Sequence, residues 1–239
     1  MLHALLALNW QIFEDINQPA GHQRVFDPLM VFGAQDVLFL MPLIVLALWA
    51  GLAFVLPRAV DGNASGASFA QARALGLRFV LLAVPAVILA VAFNIVIGAL
   101  VPEPRPFISH PSAVHQLIAH AADGSFPSDH EAVAAALATL LVVYVAVALR
   151  QRTIARARGA TPGELTPVVR LAAILALLAV LGIAYIGLAR IYVGVHYPGD
   201  ILGGMLCGAI AAIVVVSIRP LLEPLLRPVI QMAERLRLA

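Results

Sequence analysis

Three short polar clusters interrupt an otherwise apolar chain: Glu103-Pro-Arg105-Pro106, then Phe126-Pro127-Ser128-Asp129-His130, then Arg190 followed by His196 and Asp200. Two histidines, two arginines and a carboxylate are the groups needed to break a phosphoester without a metal: a nitrogen nucleophile, a proton donor and clamps for the anion. In the third cluster, a helix beginning near Pro198 places Asp200 in its first turn and His196 just before it. The carboxylate can then hold one imidazole nitrogen as N–H and leave the other as a lone pair aimed at phosphorus.

The second cluster leads into a long apolar run, and Ser128 with Glu131 fits the capping-box pattern of a helix start. Such a start offers unpaired N–H groups and a partial positive charge, a natural seat for phosphate, and His130 in the first turn can protonate a departing oxygen. Asp129 and Glu131 place negative charge beside that seat, which nearby arginines must offset. In the first cluster the flanking prolines restrict the backbone around Arg105, whose planar fork matches phosphate oxygens bidentately. His110, His115, His120 and His130 lie five, five and ten residues apart. These spacings do not share a helical face as metal ligands would, so the first three read as solvated loop histidines and no metal or other cofactor is expected.

The elements that position these clusters are membrane spans. The chain is 62% hydrophobic and only 12% charged, about half the charged fraction of a soluble domain. Five apolar runs, Val37–Leu56, Phe79–Val101, Ala132–Leu149, Leu171–Leu188 and Ile201–Ile218, are each long enough to cross most of a roughly 30 Å hydrocarbon core. Residues 4–17, with Trp10 and Phe13 among leucines, read as an interfacial amphipathic helix. The acids Glu14 and Asp15 and the lack of a basic flank argue against a cleaved signal peptide. The expected fold is therefore all-α: one membrane domain over 1–239, a polytopic bundle of five spans plus that N-terminal helix.

Lysine is absent, and arginine is segregated. Of the 15 arginines only Arg24, Arg105 and Arg190 fall on the side of the bundle that carries the three clusters, whereas the segments 57–78, 150–170 and 219–239 hold the rest. Arginine-rich short loops stay in the cytoplasm, so the N-terminus and all seven histidines are expected outside and the C-terminus inside. The basic stretch Arg150–Arg158 is read as a topology determinant touching lipid headgroups rather than nucleic acid. Asp61–Ser68 reads as a flexible connection, and Ala113–Ala121 carries a weak helical pattern. Pro85 is expected to kink the second span, and Pro220, Pro224 and Pro228 to break up the tail. Gly204, Gly208 and Ala212 form a small-residue face suited to close helix packing.

Taken together, Arg105-Pro106, Pro127-Ser-Asp-His130 and Arg190-x5-His196-x3-Asp200 resemble the three-part signature of the type 2 phosphatidic acid phosphatase superfamily, over roughly residues 98–204. The family pattern is Lys-x6-Arg-Pro, Pro-Ser-Gly-His and Ser-Arg-x5-His-x3-Asp. Here Gly98 stands at the lysine, Asp129 at the glycine and Ala189 at the first serine. The resemblance implies a lipid phosphatase in which His196 is the nucleophile, Asp200 orients it and His130 is the general acid. Arg105, Ser128 and Arg190, with the neighbouring Pro106 and Asp129, would form the phosphate site. The Phe-Pro-Ser-Asp-His form resembles the bacterial undecaprenyl-diphosphatase subgroup. It implies a polyprenyl diphosphate substrate, hydrolysed on the outer face of the inner membrane to recycle the cell-wall lipid carrier. Alternatives are a phosphatidate, phosphatidylglycerophosphate or lipid A phosphatase, and an inactive lipid-binding or transport protein on the same scaffold.

Overall fold

The structure, a computed structural model, describes residues 2–51, 66–157 and 166–236. Among these the chain is helical: α1 Leu2–Asn17, α2 Phe26–Gln35, α3 Val37–Ala50, α4 Gly66–Leu100, α5 Pro106–Ser109, α6 Asp129–Ala157, α7 Thr166–Tyr192, α8 Pro198–Ser217 and α9 Arg219–Arg235. Four helices contain stretches long and apolar enough to cross a bilayer: Gly76–Leu100, Asp129–Ile154, Val169–Tyr192 and Pro198–Ser217. A fifth span is reached if α2 and α3, bent by 60° at Asp36, count as one. The expected all-α membrane bundle is present. Its first span differs, because the polar Asp36 interrupts an apolar run that begins at Phe26 rather than Val37. The end of that run, beyond Gly51, lies outside the described residues, as do Asp61–Ser65, while Gly66 to Ser68 open α4.

Helix α6 sits at the centre, packed against α3, α4, α7 and α8. Its buried face is built from Ala132, Ala135, Ala136, Leu140 and Tyr144. Small residues let backbones approach where lipid gives no hydrophobic drive between helices. The small-residue face of α8 meets that alanine stripe directly. A Cβ on Gly208 would collide with the Ala132 carbonyl, and one on Gly204 with the Ser128 carbonyl and the Glu131 Cβ. Outward-facing Ile88, Ile95, Leu177, Leu181, Leu202 and Leu206 are left exposed, as lipid-facing positions should be.

Two local expectations are corrected, and the helix of the third apolar run proves longer than that run. Residues Ala113–Ala121 form turns and irregular chain instead of a helix, pinned by a hydrogen bond from Leu117 N to Val193 O of 3.1 Å. The basic stretch from Arg150 continues α6 as helix up to Ala157; arginine is a good helix former, and nothing in Arg150–Ala157 breaks the ladder. The tail prolines do not break α9. Pro220 lies in its first turn, and Pro224 and Pro228 follow at intervals of four, so the lost N–H groups fall on one stripe of the helix. The other side of α9 packs Ile230 and Ala233 against Leu77 of α4.

Helix α1 docks across the ends of α7 and α8 by Phe13, fully buried among Ile191, Tyr197 and Ile201. Asn17 donates to the carbonyls of Tyr192 (2.7 Å) and His115 (2.8 Å), and Asn9 Oδ1 accepts from Gly199 N (2.8 Å). Leu5, Leu6, Leu8 and Ile12 remain exposed on its outer side.

Candidate active site

The spacing of the third cluster has a physical explanation. Helix α7 ends in a Schellman motif: Gly194 adopts φ +84° and donates to Ile191 O (3.0 Å), while Val195 N reaches back to Arg190 O (3.2 Å). A side chain at Gly194 would strain that left-handed backbone and strike His115 O. The reversal brings His196 back beside Arg190. Helix α8 then starts at Pro198, and Asp200 at its third position turns toward the preceding residues. Asp200 Oδ2 accepts from Tyr197 N (2.8 Å), from His196 Nδ1 (3.2 Å) and from the Ser125 hydroxyl. Three donors on one carboxylate oxygen fix the imidazole plane.

Both guanidiniums converge on the other ring nitrogen. His196 Nε2 lies 3.2 Å from Arg105 Nη1 and 3.1 Å from Arg190 Nη2. Guanidinium can only donate, so Nε2 is the acceptor and the ring proton sits on Nδ1, toward Asp200. Burial, followed by the adjacent Arg190 and Arg105, holds His196 well below its ordinary pKa of 6.5, so the ring is neutral. A buried, oriented imidazole thus presents a lone pair between two cations.

Each arginine is held from behind. Arg105 Nε donates to Asp123 Oδ1 (2.7 Å), and Nη1 also donates to Val195 O (2.9 Å). Slight burial opposes charge on Asp123, yet Arg105 holds its carboxyl below the ordinary carboxylate value. Arg190 Nη1 donates to Ala34 O (3.2 Å), a carbonyl in the last turn of α2. Such carbonyls lack helical partners and mark the negative end of the helix dipole, so the bend at Asp36 makes a seat for a buried cation.

The second cluster forms the remaining wall. Ser128 N donates to Asp200 O (3.0 Å), tying the start of α6 to the start of α8. The expected capping box at Ser128 and Glu131 does not form. Glu131 is fully buried toward Gly187 and Gly204, whose missing side chains make room for it, and Ser128 Oγ is likewise buried with no hydrogen-bond partner. Asp129 is exposed, with its carboxylate held by Asn94 Nδ2 (2.9 Å) rather than turned to the arginines. His130, one residue into α6, is half-buried and close enough to Arg190 and Arg105 to feel their charge, with the His196 and His120 rings nearby. Pro106 is buried at the first position of α5 and has no N–H to offer a ligand, so its contribution is to the backbone at Arg105.

Four residues outside the sequence-derived set belong to this assembly: His120, Asp123, Ser125 and Asn94. His110 and His115 are exposed as expected, although His110 also stacks on Trp10 at 3.9 Å. His120 is not a solvated loop residue. Its Nε2 lies 3.2 Å from Arg190 Nη2 and its ring centroid 6.4 Å from that of His196. Ser125 abuts the recognised Phe126-Pro127-Ser128, and that adjacency was its only sequence signal. Among the described residues no group of three or more His, Cys, Asp or Glu side chains has metal-binding geometry.

The sequence profile of the PAP2 superfamily matches residues 79–223, more than half of the chain and every side chain of this cluster. The chain belongs to the PAP2 superfamily. It is 32% identical over 227 residues to the undecaprenyl-diphosphatase BcrC of Bacillus subtilis, covering 95% of this chain and 92% of that protein. It is 26% identical over 216 residues to the bacitracin transport permease protein BcrC of Bacillus licheniformis, covering 90% and 83% of the two chains. The crystal structure of Aquifex aeolicus LpxE has the same fold, with a TM-score of 0.50 and 24% identity over 88% of this chain and 95% of that one. Within the PAP2 superfamily frame, the apolar helices make this a multi-pass membrane protein.

Proposed function

We propose that this membrane lipid phosphatase hydrolyses undecaprenyl diphosphate to undecaprenyl phosphate and phosphate. The observation that carries the reading is His196, neutral and held by Asp200, with its free nitrogen between two buried guanidiniums. The Bacillus subtilis relative supplies the substrate, since its name is that of an undecaprenyl-diphosphatase.

In this reading the terminal phosphoryl oxygens take over the N–H groups that Arg105 and Arg190 direct at His196. This uncovers the Nε2 lone pair as phosphorus arrives. Nε2 attacks phosphorus, the bond to the bridging oxygen breaks, and His130 passes a proton to the departing undecaprenyl phosphate. Charge that builds on the equatorial oxygens meets Arg105, Arg190, the unpartnered Ser128 hydroxyl and the N-terminus of α6. Water then attacks the phosphohistidine, His130 accepts its proton, and phosphate leaves. The single domain over 1–239 acts as one unit, with the reaction on the outer face.

Phosphate release by the purified protein across a lipid panel tests the reading. Undecaprenyl diphosphate is expected to give the highest kcat/KM, because its leaving group is a phosphate rather than an alkoxide. Higher kcat/KM on phosphatidate, phosphatidylglycerophosphate or lipid A would replace the substrate. Binding without phosphate release from any lipid would favour a carrier, the role carried in the name of the Bacillus licheniformis relative. For sidedness, Ser109→Cys in a Cys207→Ala background should be labelled by an impermeant thiol reagent on intact cells.

A further inference from the structure

The family pattern has a lysine where this chain has Gly98. A side chain there would start 3.1 Å from the Phe126 carbonyl, against the strand of chain that enters α6. The site therefore holds two permanent cations where the pattern has three, yet a diphosphate headgroup brings up to three negative charges, two on its terminal phosphoryl group and one on the inner. The loop between α5 and α6 supplies what could compensate. His120 is 22% exposed and reaches into the cluster from the solvent side. Its Nε2 accepts from Arg190 Nη2, the same nitrogen that faces His196. Its other ring nitrogen, which then carries the proton, lies 3.3 Å from Ala121 O and 3.7 Å from Asp123 Oδ1.

The groups around His120 are Arg190 from α7, His196 from the α7–α8 turn, His130 from α6, and Arg105 and Asp123 from its own loop region. Burial and then Arg105 keep the ring below its ordinary pKa, so a third cation is disfavoured while the site is empty. A phosphoryl group between Arg105 and Arg190 reverses that balance. An opposite charge within about 4–6 Å favours the protonated ring. Arg190 Nη2 turns its N–H to the phosphate, His120 Nε2 loses its donor, and the vacated nitrogen is free to become a donor itself. Asp123 stands ready on the opposite edge of the ring.

We propose that His120 is a phosphate-binding residue that takes up a proton from solvent as the phosphoester docks, and so supplies the third positive charge that Gly98 withholds. The proposal rests on the phosphatase reading above and assigns His120 to substrate affinity, leaving the chemical step to His196 and His130.

The test combines binding and kinetics on purified full-length protein. Orthovanadate is titrated calorimetrically in buffers of different ionisation enthalpy, and KM and kcat for undecaprenyl diphosphate are measured from pH 6 to 9. Wild type is expected to take up about one proton more per vanadate bound than His120→Asn. His120→Asn should raise KM at pH 7 by about tenfold or more, the loss of one charged hydrogen bond, with kcat changing much less. KM of the wild type should climb with pH, whereas KM of His120→Lys should be low and flat to higher pH. Equal proton uptake and equal KM profiles in wild type and His120→Asn, with thermal unfolding confirming both folded, would overturn the proposal while leaving the phosphatase reading intact. Normal vanadate-linked proton uptake without hydrolysis of any lipid would do the reverse.

Discussion

The two ends of the helical bundle use the same residue, arginine, in opposite ways. At the end where α4 finishes and α6 and α8 begin, Arg105 and Arg190 are 5% and 3% exposed and held by named partners: Asp123, Val195 O and Ala34 O behind, His120 and His196 in front. At the other end Arg78 pairs with Glu223 at 3.2 Å with both side chains substantially open, beside a cavity of about 490 Å³ that Gln151 and Arg219 also line. A buried cation without partners is strongly destabilising, so the first set exists only because several helices were arranged to hold it. An exposed pair contributes about 0–1 kcal/mol and asks for no such arrangement. The contrast separates arginines buried in a built site from arginines left open at the end of the bundle.

The sharpest way to break the contrast is at the proposed nucleophile. His196→Ala should reduce phosphate release to background and abolish any acid-labile phosphoenzyme; residual phosphoenzyme would move the nucleophile elsewhere. Next, His130→Ala should cost roughly 10² to 10⁴ in rate on undecaprenyl diphosphate. It should recover on p-nitrophenyl phosphate, whose leaving group needs no proton, and equal loss on both substrates would remove His130 from the acid role. Arg105→Lys and Arg190→Lys should each lose about 10- to 150-fold in kcat/KM, because a point charge cannot reproduce a planar fork held from two sides.

The acid limb of the pH profile is a smaller effect with a defined sign. His196 is held below 6.5, so once the His120 titration is removed by His120→Asn, kcat/KM should change by less than about twofold between pH 6.5 and 5.5, where a nucleophile of ordinary pKa would lose about fivefold. Over the same interval the unfolded chain takes up a proton at this position that the native protein refuses, so thermal stability should fall as pH drops below 6.5. Smallest of all, Glu223→Gln at the far end should alter activity by less than about twofold and stability by at most about 1 kcal/mol. A loss comparable to that of Arg190→Lys would erase the distinction between the two ends.

Much of this was legible in the sequence. Length and apolarity announced the spans, and Arg190-x5-His196-x3-Asp200 described a helix stop and a helix start before either was seen. What escaped notice did so for identifiable reasons. Ser125, Asp123 and His120 sit in irregular chain, where no periodicity predicts which side chain turns inward. Ala34 contributes only a backbone carbonyl, and its role follows from a bend at Asp36 that the apolar run from Val37 concealed. Glu131 read as a cap because its spacing from Ser128 was right; the room left by Gly187 and Gly204 drew it inward instead. Pattern reading recovers groups that repeat or cap, and misses those that meet only through tertiary packing.

The contact between Gly204 and Gly208 of α8 and the backbone of α6 bears on how the enzyme meets an uneven bilayer. Two helices locked backbone to backbone, and stitched again where Ser128 N meets Asp200 O, must tilt and translate as one strut. Hydrophobic mismatch of a few ångströms is ordinarily absorbed by tilting or kinking of individual spans or by local thinning or thickening of the bilayer. Independent tilting or kinking is opposed for the pair that carries Ser128 and His130 on one member and Asp200 on the other. Changes in membrane thickness are therefore expected to fall on the outer helices and on the tilt of this pair as a whole, which would keep His130 aligned with His196 and Asp200 from thin membranes to thick ones.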